Sequence, residues 1–221
     1  MPEKAMRSAF DFAKYFMKHG YNDCSFDGNM TVQKLLTFAF LIHLKMFDKA
    51  LFSEPILAFE NGCVVEPVRL RYKDDYLLLL KESESFSPNF TEEESSTLEI
   101  TCNLFGRLTA RELSEINHLF NFWKIAFERS EDSRAYRDKN LAQVSIEDMR
   151  NELHKIEQLL NAYNQTRQIA QKREVVNGIM FNVEPALEIT DELLLELERF
   201  SLNADESAYF VGKDSGELVI Y

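Results

Sequence analysis

Apolar residues recur along much of this chain at intervals of three and four, the spacing that places them on one face of an α-helix. Over residues 5–18, Met6, Ala9, Phe10, Ala13, Phe16 and Met17 form such a face. Gly20 follows, a residue type suited to ending a helix. Residues 21–29 read as a turn-rich connector. Thr31 then stands as the N-cap of a second helix running to about Asp48. Val32, Leu35, Leu36, Ala39, Phe40, His43, Met46 and Phe47 make its stripe. Phe38, Leu41, Ile42 and Leu44 lie outside that stripe, and a helix apolar nearly all round belongs at the centre of a fold.

Residues 55–71 hold two prolines and a glycine among β-branched residues, which predicts an extended corner or short strands. The apolar run Tyr76–Leu80 is too short to assign by period. Thr91 with Glu94, and Thr109 with Glu112, are spaced as capping boxes. They predict helices to about Leu104 and about Glu128. In the second, Leu113, Ile116, Phe120, Trp123 and Phe127 fall on one side at 100° per residue, with His118, Phe122 and Ile125 opposite. Either that helix is sandwiched, or His118, Phe122 and Ile125 face a partner.

The longest helical pattern runs from Ser145 to about Arg173, a span of roughly 40 Å at 1.5 Å per residue. Its seam is Ile146, Met149, Leu153, Ile156, Leu160 and Tyr163. It either packs along its own domain or reaches out as an arm. Gly178 and Pro185 mark a connector, Thr190 caps a helix over Asp191–Phe200, and residues 207–221 read as a hairpin. An isolated hairpin is marginal in water. This one must pack on the domain, pair with residues 55–71, or dock to a partner. The fold class is mainly α (α+β): a helical bundle-like core over 1–140 with short β elements. An extension over 141–221 packs on it and holds the long helix, a short helix and the terminal hairpin.

Charge narrows the function. The 221 residues carry a net charge of -12, which disfavours a generic nucleic-acid binder and docking on an anionic membrane. Three scattered cysteines, Cys24, Cys63 and Cys102, suit a reducing compartment. The start of the chain lacks the apolar segment of a secretory leader. Apolar runs such as Phe38–Ile42 are too short to span a bilayer. These features predict a cytoplasmic protein.

Catalytic spacings are missing. There is no phosphate-cradling glycine loop, no H-E-x-x-H and no G-x-S-x-G. His19, His43, His118 and His154 never pair at ligand spacing. His43, on an apolar face, reads as a core histidine with a hydrogen-bond partner. Cys63 has no base near it in sequence. No catalytic residue, metal ligand or cofactor is expected.

Two blocks of residues carry a resemblance. The first is Thr31, Lys34, Leu35, Leu36 and Phe38, with Gln33 inside it. It continues through His43-Leu44 and Leu51-Phe52 to Ala58, Phe59, Gly62, Val64 and Val68, around Asn61. The second is Gly106, Leu108, Thr109, Leu113, Ser114, His118 and Trp123. Together they resemble the Panacea domain of SocA-like antitoxins over roughly residues 8 to 135. Cys63 stands where that family has proline. The resemblance implies a non-enzymatic antitoxin of a mobile element or prophage, which neutralises a cognate protein toxin by direct binding. One branch of the family instead delivers its toxin to a protease. Gln33, Lys34, His43, Phe59, Asn61, Gly62 and Trp123 are then signature positions that hold the fold. Partner choice is expected in residues 143–221, outside the best-matched region. The alternative is an acidic phage-encoded inhibitor or nucleic-acid mimic acting on a host DNA-acting protein through Glu82–Glu99.

Overall fold

The structure, a computed structural model, describes residues 6–131, 138–184, 186–214 and 217–221. Ala5, Pro185, Ser215 and Gly216, which enter the helix, connector and hairpin expected from the sequence, lie outside the described residues. Ten helices and six short strands are present among them, a mainly α, α+β protein. The chain divides into two compact units, Met1–Glu157 and Gln158–Tyr221.

In the first unit, α1 (Ala9–Lys18) starts at Ser8, whose hydroxyl accepts the Phe10 N–H. Glu54, beside the first corner, accepts the Ala9 N–H at 2.9 Å. A carboxylate there complements the positive end of the helix dipole. Phe12 joins Ala9, Ala13, Phe16 and Met17 in the core, while Met6 is exposed.

The central helix α2 spans Phe26–Phe47. It begins five residues before the cap expected at Thr31. Ser25 is the N-cap, accepting the Gly28 N–H at 3.0 Å, and the Thr31 hydroxyl donates to Asp27 inside the helix. Gly28 permits this early start, because a Cβ there would collide with the Asp23 carbonyl. From Val32 to Leu44 every residue is buried. By length and composition α2 could cross a membrane. Instead it packs on α1 and on elements that follow it, and it buries Gln33, Lys34, Thr37 and His43 with protein partners.

The chain then forms a hairpin, β1 (Ile56–Phe59) and β2 (Gly62–Val65), paired antiparallel. Three helices follow, α3 (Glu66–Asp74), α4 (Tyr76–Glu84) and α5 (Glu92–Phe105). The unassigned run Tyr76–Leu80 therefore opens a helix. Thr91 and Glu94 form the expected capping box, as do Thr109 and Glu112.

The helix expected from Thr109 to Glu128 is two helices, α6 (Ala110–His118) and α7 (Asn121–Arg129). Phe120 between them is extended, at φ -92° and ψ 125°. That single residue resets the helical phase. Phe122 turns inward with its ring 5.1 Å from that of Phe120, which packs on Phe38. The pattern from Ser145 is likewise broken, into α8 (Ile146–Arg150) and α9 (Leu153–Gln171). Between them Glu152 is drawn in to accept the Asn121 N–H at 2.7 Å, capping α7 where its own sequence offers no cap.

The boundary between units falls inside α9 rather than at 140/141. Ala142 and Val144 bond to Ala58 and Ile56 along the edge of the hairpin, and Met149 and Ile156 are buried. These contacts tie residues 141–157 to the first unit.

The second unit holds a four-stranded sheet in the order β3 (Arg173–Val176), β4 (Ile179–Val183), β5 (Ala208–Asp214), β6 (Glu217–Ile220). Helix α10 (Asp191–Ser201), capped by Thr190, connects β4 to β5, which pair in parallel. The terminal hairpin therefore pairs with β4, not with residues 55–71. The supposed connector at Gly178 is the tight turn of a further hairpin, with Asn177 and Gly178 both at positive φ.

Candidate functional site

The signature positions converge on the first hairpin. Two strands alone leave half of their backbone groups without sheet partners, and buried groups of that kind must be satisfied some other way. Side chains from the helices do this. Gln33 Oε1 accepts the Val65 N–H at 2.8 Å, and Lys34 Nζ donates to the Cys63 carbonyl at 3.0 Å. Asn117 Oδ1 accepts the Cys63 N–H at 2.6 Å. Ser114 donates to the Asn61 carbonyl, and the Trp123 indole N–H to that of Phe59 at 2.8 Å. Gly62 takes φ +96°, and a Cβ there would fall against Asn117 and Lys34. His43 lies apart, its Nδ1 2.9 Å from the Thr97 hydroxyl, with burial holding its pKa below the usual value.

Asn117 was not singled out by sequence reasoning. Its signal was its place one turn after Leu113, on the stripe side of the helix. It reaches the hairpin only because β1 and β2 fold back onto α6.

Lys34 has no exposed surface, and burial pulls its pKa down to about 8. Burial pushes the Cys63 thiol up to about 12, so it stays protonated at neutral pH and is a poor nucleophile. Among the described residues, no group of three or more His, Cys, Asp or Glu side chains is placed to hold a metal ion.

The three residues expected to face a partner separate. Phe122 is fully buried and cannot be a surface anchor. The extended Phe120 is the cause, as it rotates α7 relative to α6. Ile125 is exposed, and His118 is exposed with its ring 4.0 Å from that of Trp123. Burial and the Lys34 charge lower the His118 pKa, against a raising hydrogen bond with the Glu60 backbone.

Beside the hairpin, the start of α2 and one side of α3 border a half-open cavity of about 540 Å³. Phe26, Met30, Phe59, Tyr72 and Tyr76 supply its apolar walls, and Lys34, Arg69 and Lys73 its positive charges.

A different surface occupies the second unit. One face of its sheet packs Phe181, Val183, Tyr209 and Val211 against Leu193 and Leu197 of α10. The other face carries Val175 beside Met180, Met180 beside Ala208, and Phe210 bonded across to Tyr221. Val175 is 66% exposed, Phe210 56% and Tyr221 71%. An apolar stripe thus crosses β3, β4 and β5 on the open face and ends on Tyr221, just past β6. Sequence reasoning missed it because Asn177-Gly178 was not taken as a hairpin turn, although Asn-Gly between apolar runs is the strongest local signal for one.

No protein-family model, curated protein or solved structure matches this chain.

Proposed function

We propose that this chain is an antitoxin-like, non-enzymatic protein of the cytoplasm, which neutralises a cognate protein toxin by direct binding. The toxin is either blocked in the complex or handed to a protease. The observation that carries the reading is the open apolar face of the second unit's sheet. Exposed aromatic and aliphatic side chains in one stripe mark an interaction surface. Residues 158–221 carry eleven Asp and Glu against five Lys and Arg. That balance suits a basic partner and discourages pairing of two copies of the chain. The resemblance of the first unit's signature positions to Panacea-domain antitoxins supports the same class of function.

The acidic mimic has less support. Glu82 pairs with Arg71 and Lys14, Glu93 with Lys49, and Glu94 with Arg7. Three of the six glutamates between Glu82 and Glu99 are thereby paired within the chain, which leaves fewer free charges for a phosphate-like array.

The test is toxicity rescue. The neighbouring reading frame is expressed alone, with this protein, and with its Phe210→Asp variant. Growth arrest relieved by the unaltered protein through a stable one-to-one complex, and not by the variant, is the expected result. A harmless neighbour that forms no complex would overturn the reading.

A further inference from the structure

We infer that the cavity between α2, the first hairpin and α3 is a binding site for a small organic anion, a flat apolar or aromatic body carrying a phosphate or carboxylate. The inference stands on this cavity alone and does not depend on the toxin-binding reading.

Volume is the first ground. About 540 Å³ is the size of a typical small-molecule site, and all its lining residues fall between Cys24 and Tyr76 in the first unit. The recess is thus built by one compact body.

The walls are the second. The Tyr72 and Tyr76 hydroxyls donate to the backbone oxygens of Asp23 and Asn22. Their polar tips are satisfied away from the cavity, and their rings lie 5.2 Å apart. With Phe26, Phe59 and Met30 they form an apolar box that suits a ring better than a chain of polar groups.

Charge is the third. Glu60 is the single acidic residue lining the cavity, against Lys34, Arg69 and Lys73. Arg69 is paired with Glu66. Lys34 and Lys73 have no carboxylate partner among the described residues, and Lys34 uses one carbonyl acceptor although it is completely buried. A buried ammonium without a counter-charge is costly. An anion in the cavity offsets part of that cost through space, without touching Lys34, and meets the exposed Lys73 directly. In a chain of net charge -12 this local excess of cations is the reverse of the surface around it. A long polyanion is repelled by that surface, whereas a small one entering the recess meets mainly the cations.

The test is isothermal titration of the free, full-length protein with four probes: adenosine 5′-monophosphate, adenosine, indole-3-acetate and inorganic phosphate. The expected result is binding of at least one ring-bearing anion, with adenosine and phosphate at least about tenfold weaker. Preference for adenosine monophosphate identifies a phosphate head, and preference for indole-3-acetate a carboxylate. Lys73→Glu, at an exposed position, should weaken the preferred anion at least about tenfold while the melting temperature holds. Tyr76→Ala should weaken it without abolishing folding. Phe210→Asp, in the other unit, should leave it unchanged. No ring anion binding below about 1 mM (roughly -4 kcal/mol) would overturn the inference. So would equal affinity for adenosine and its monophosphate, with no effect of Lys73→Glu on either ring anion.

Discussion

The side-chain oxygen of Asn117 accepts the backbone N–H of Cys63 at 2.6 Å, in a place where neither residue meets solvent. This bond joins the last buried position of α6 to the second strand of the first hairpin. Its other end is open, because Asn117 Nδ2 has no hydrogen-bond partner. Asn117→Ala would strand the Cys63 N–H, and a loss of about 2 kcal/mol in urea unfolding is expected. Asn117→Asp keeps the acceptor and sets a carboxylate near Lys34, so it should cost less than the alanine change.

Gly62 is required for two separate reasons, a φ of +96° and the lack of room for a Cβ. Gly20 has a similar φ of +98°, but nothing lies within 4 Å of where its Cβ would stand. Gly20→Ala should therefore cost only about 1 kcal/mol, for backbone strain. Gly62→Ala should cost about 3 kcal/mol or more, since Lys34 and Asn117 must also shift. Equal losses in the two variants would show that the crowding at Gly62 is relieved without penalty.

Lys34 should give the protein a distinctive alkaline behaviour. Its folded pKa, lowered to about 8 from 10.5, means that the unfolded chain binds more protons between those values. Stability from this group therefore rises with pH across that window, by an amount on the order of 3 kcal/mol if the whole shift is realised. Below pH 8 the penalty is complete and constant. Three tyrosines act in the opposite sense at the upper end, since desolvation raises the pKa of the half-buried Tyr15 and Tyr21 and the buried Tyr72. A difference measurement isolates the lysine. Between pH 7.5 and 9.5 the stability of the unaltered protein should climb relative to Lys34→Met, and a flat difference would contradict the buried ammonium.

Phe122 and Ile125 should respond oppositely to the same change. Phe122 is fully buried beside Phe120, and an aspartate there places a charge in the core. Cooperative thermal melting should be lost in Phe122→Asp, with more than about 4 kcal/mol of destabilisation. Ile125 is 47% exposed, and Ile125→Asp should stay within about 1 kcal/mol of the unaltered protein.

Much of the first unit was determined locally by the sequence. Both capping boxes depend on residues three apart and form where their spacing predicts. The all-round apolar character of residues 32–44 marks the central helix, because only burial on every side satisfies it. The terminal hairpin and the Thr190 cap were legible for the same reason: each is a contract between near neighbours. The Asn-Gly turn at 177–178 was written there too and went unused.

Tertiary structure decided what neighbours in sequence cannot see. Ser25 displaced Thr31 as a helix start because Gly28 must pass close to Asp23. One extended residue, Phe120, rotates α7 so that Phe122 turns into the core while Ile125 stays exposed, an outcome that a constant 100° per residue cannot express. Gln33 and Lys34 are far in the chain from Asn117 and Trp123, and their common task appears only once the helices bring them to one hairpin. The cavity beside it and the apolar stripe on the second sheet are likewise products of pairing over distance. Local geometry fixes helix ends and turns at short range. Sites are made by chain segments whose meeting is settled by the packing of the whole core.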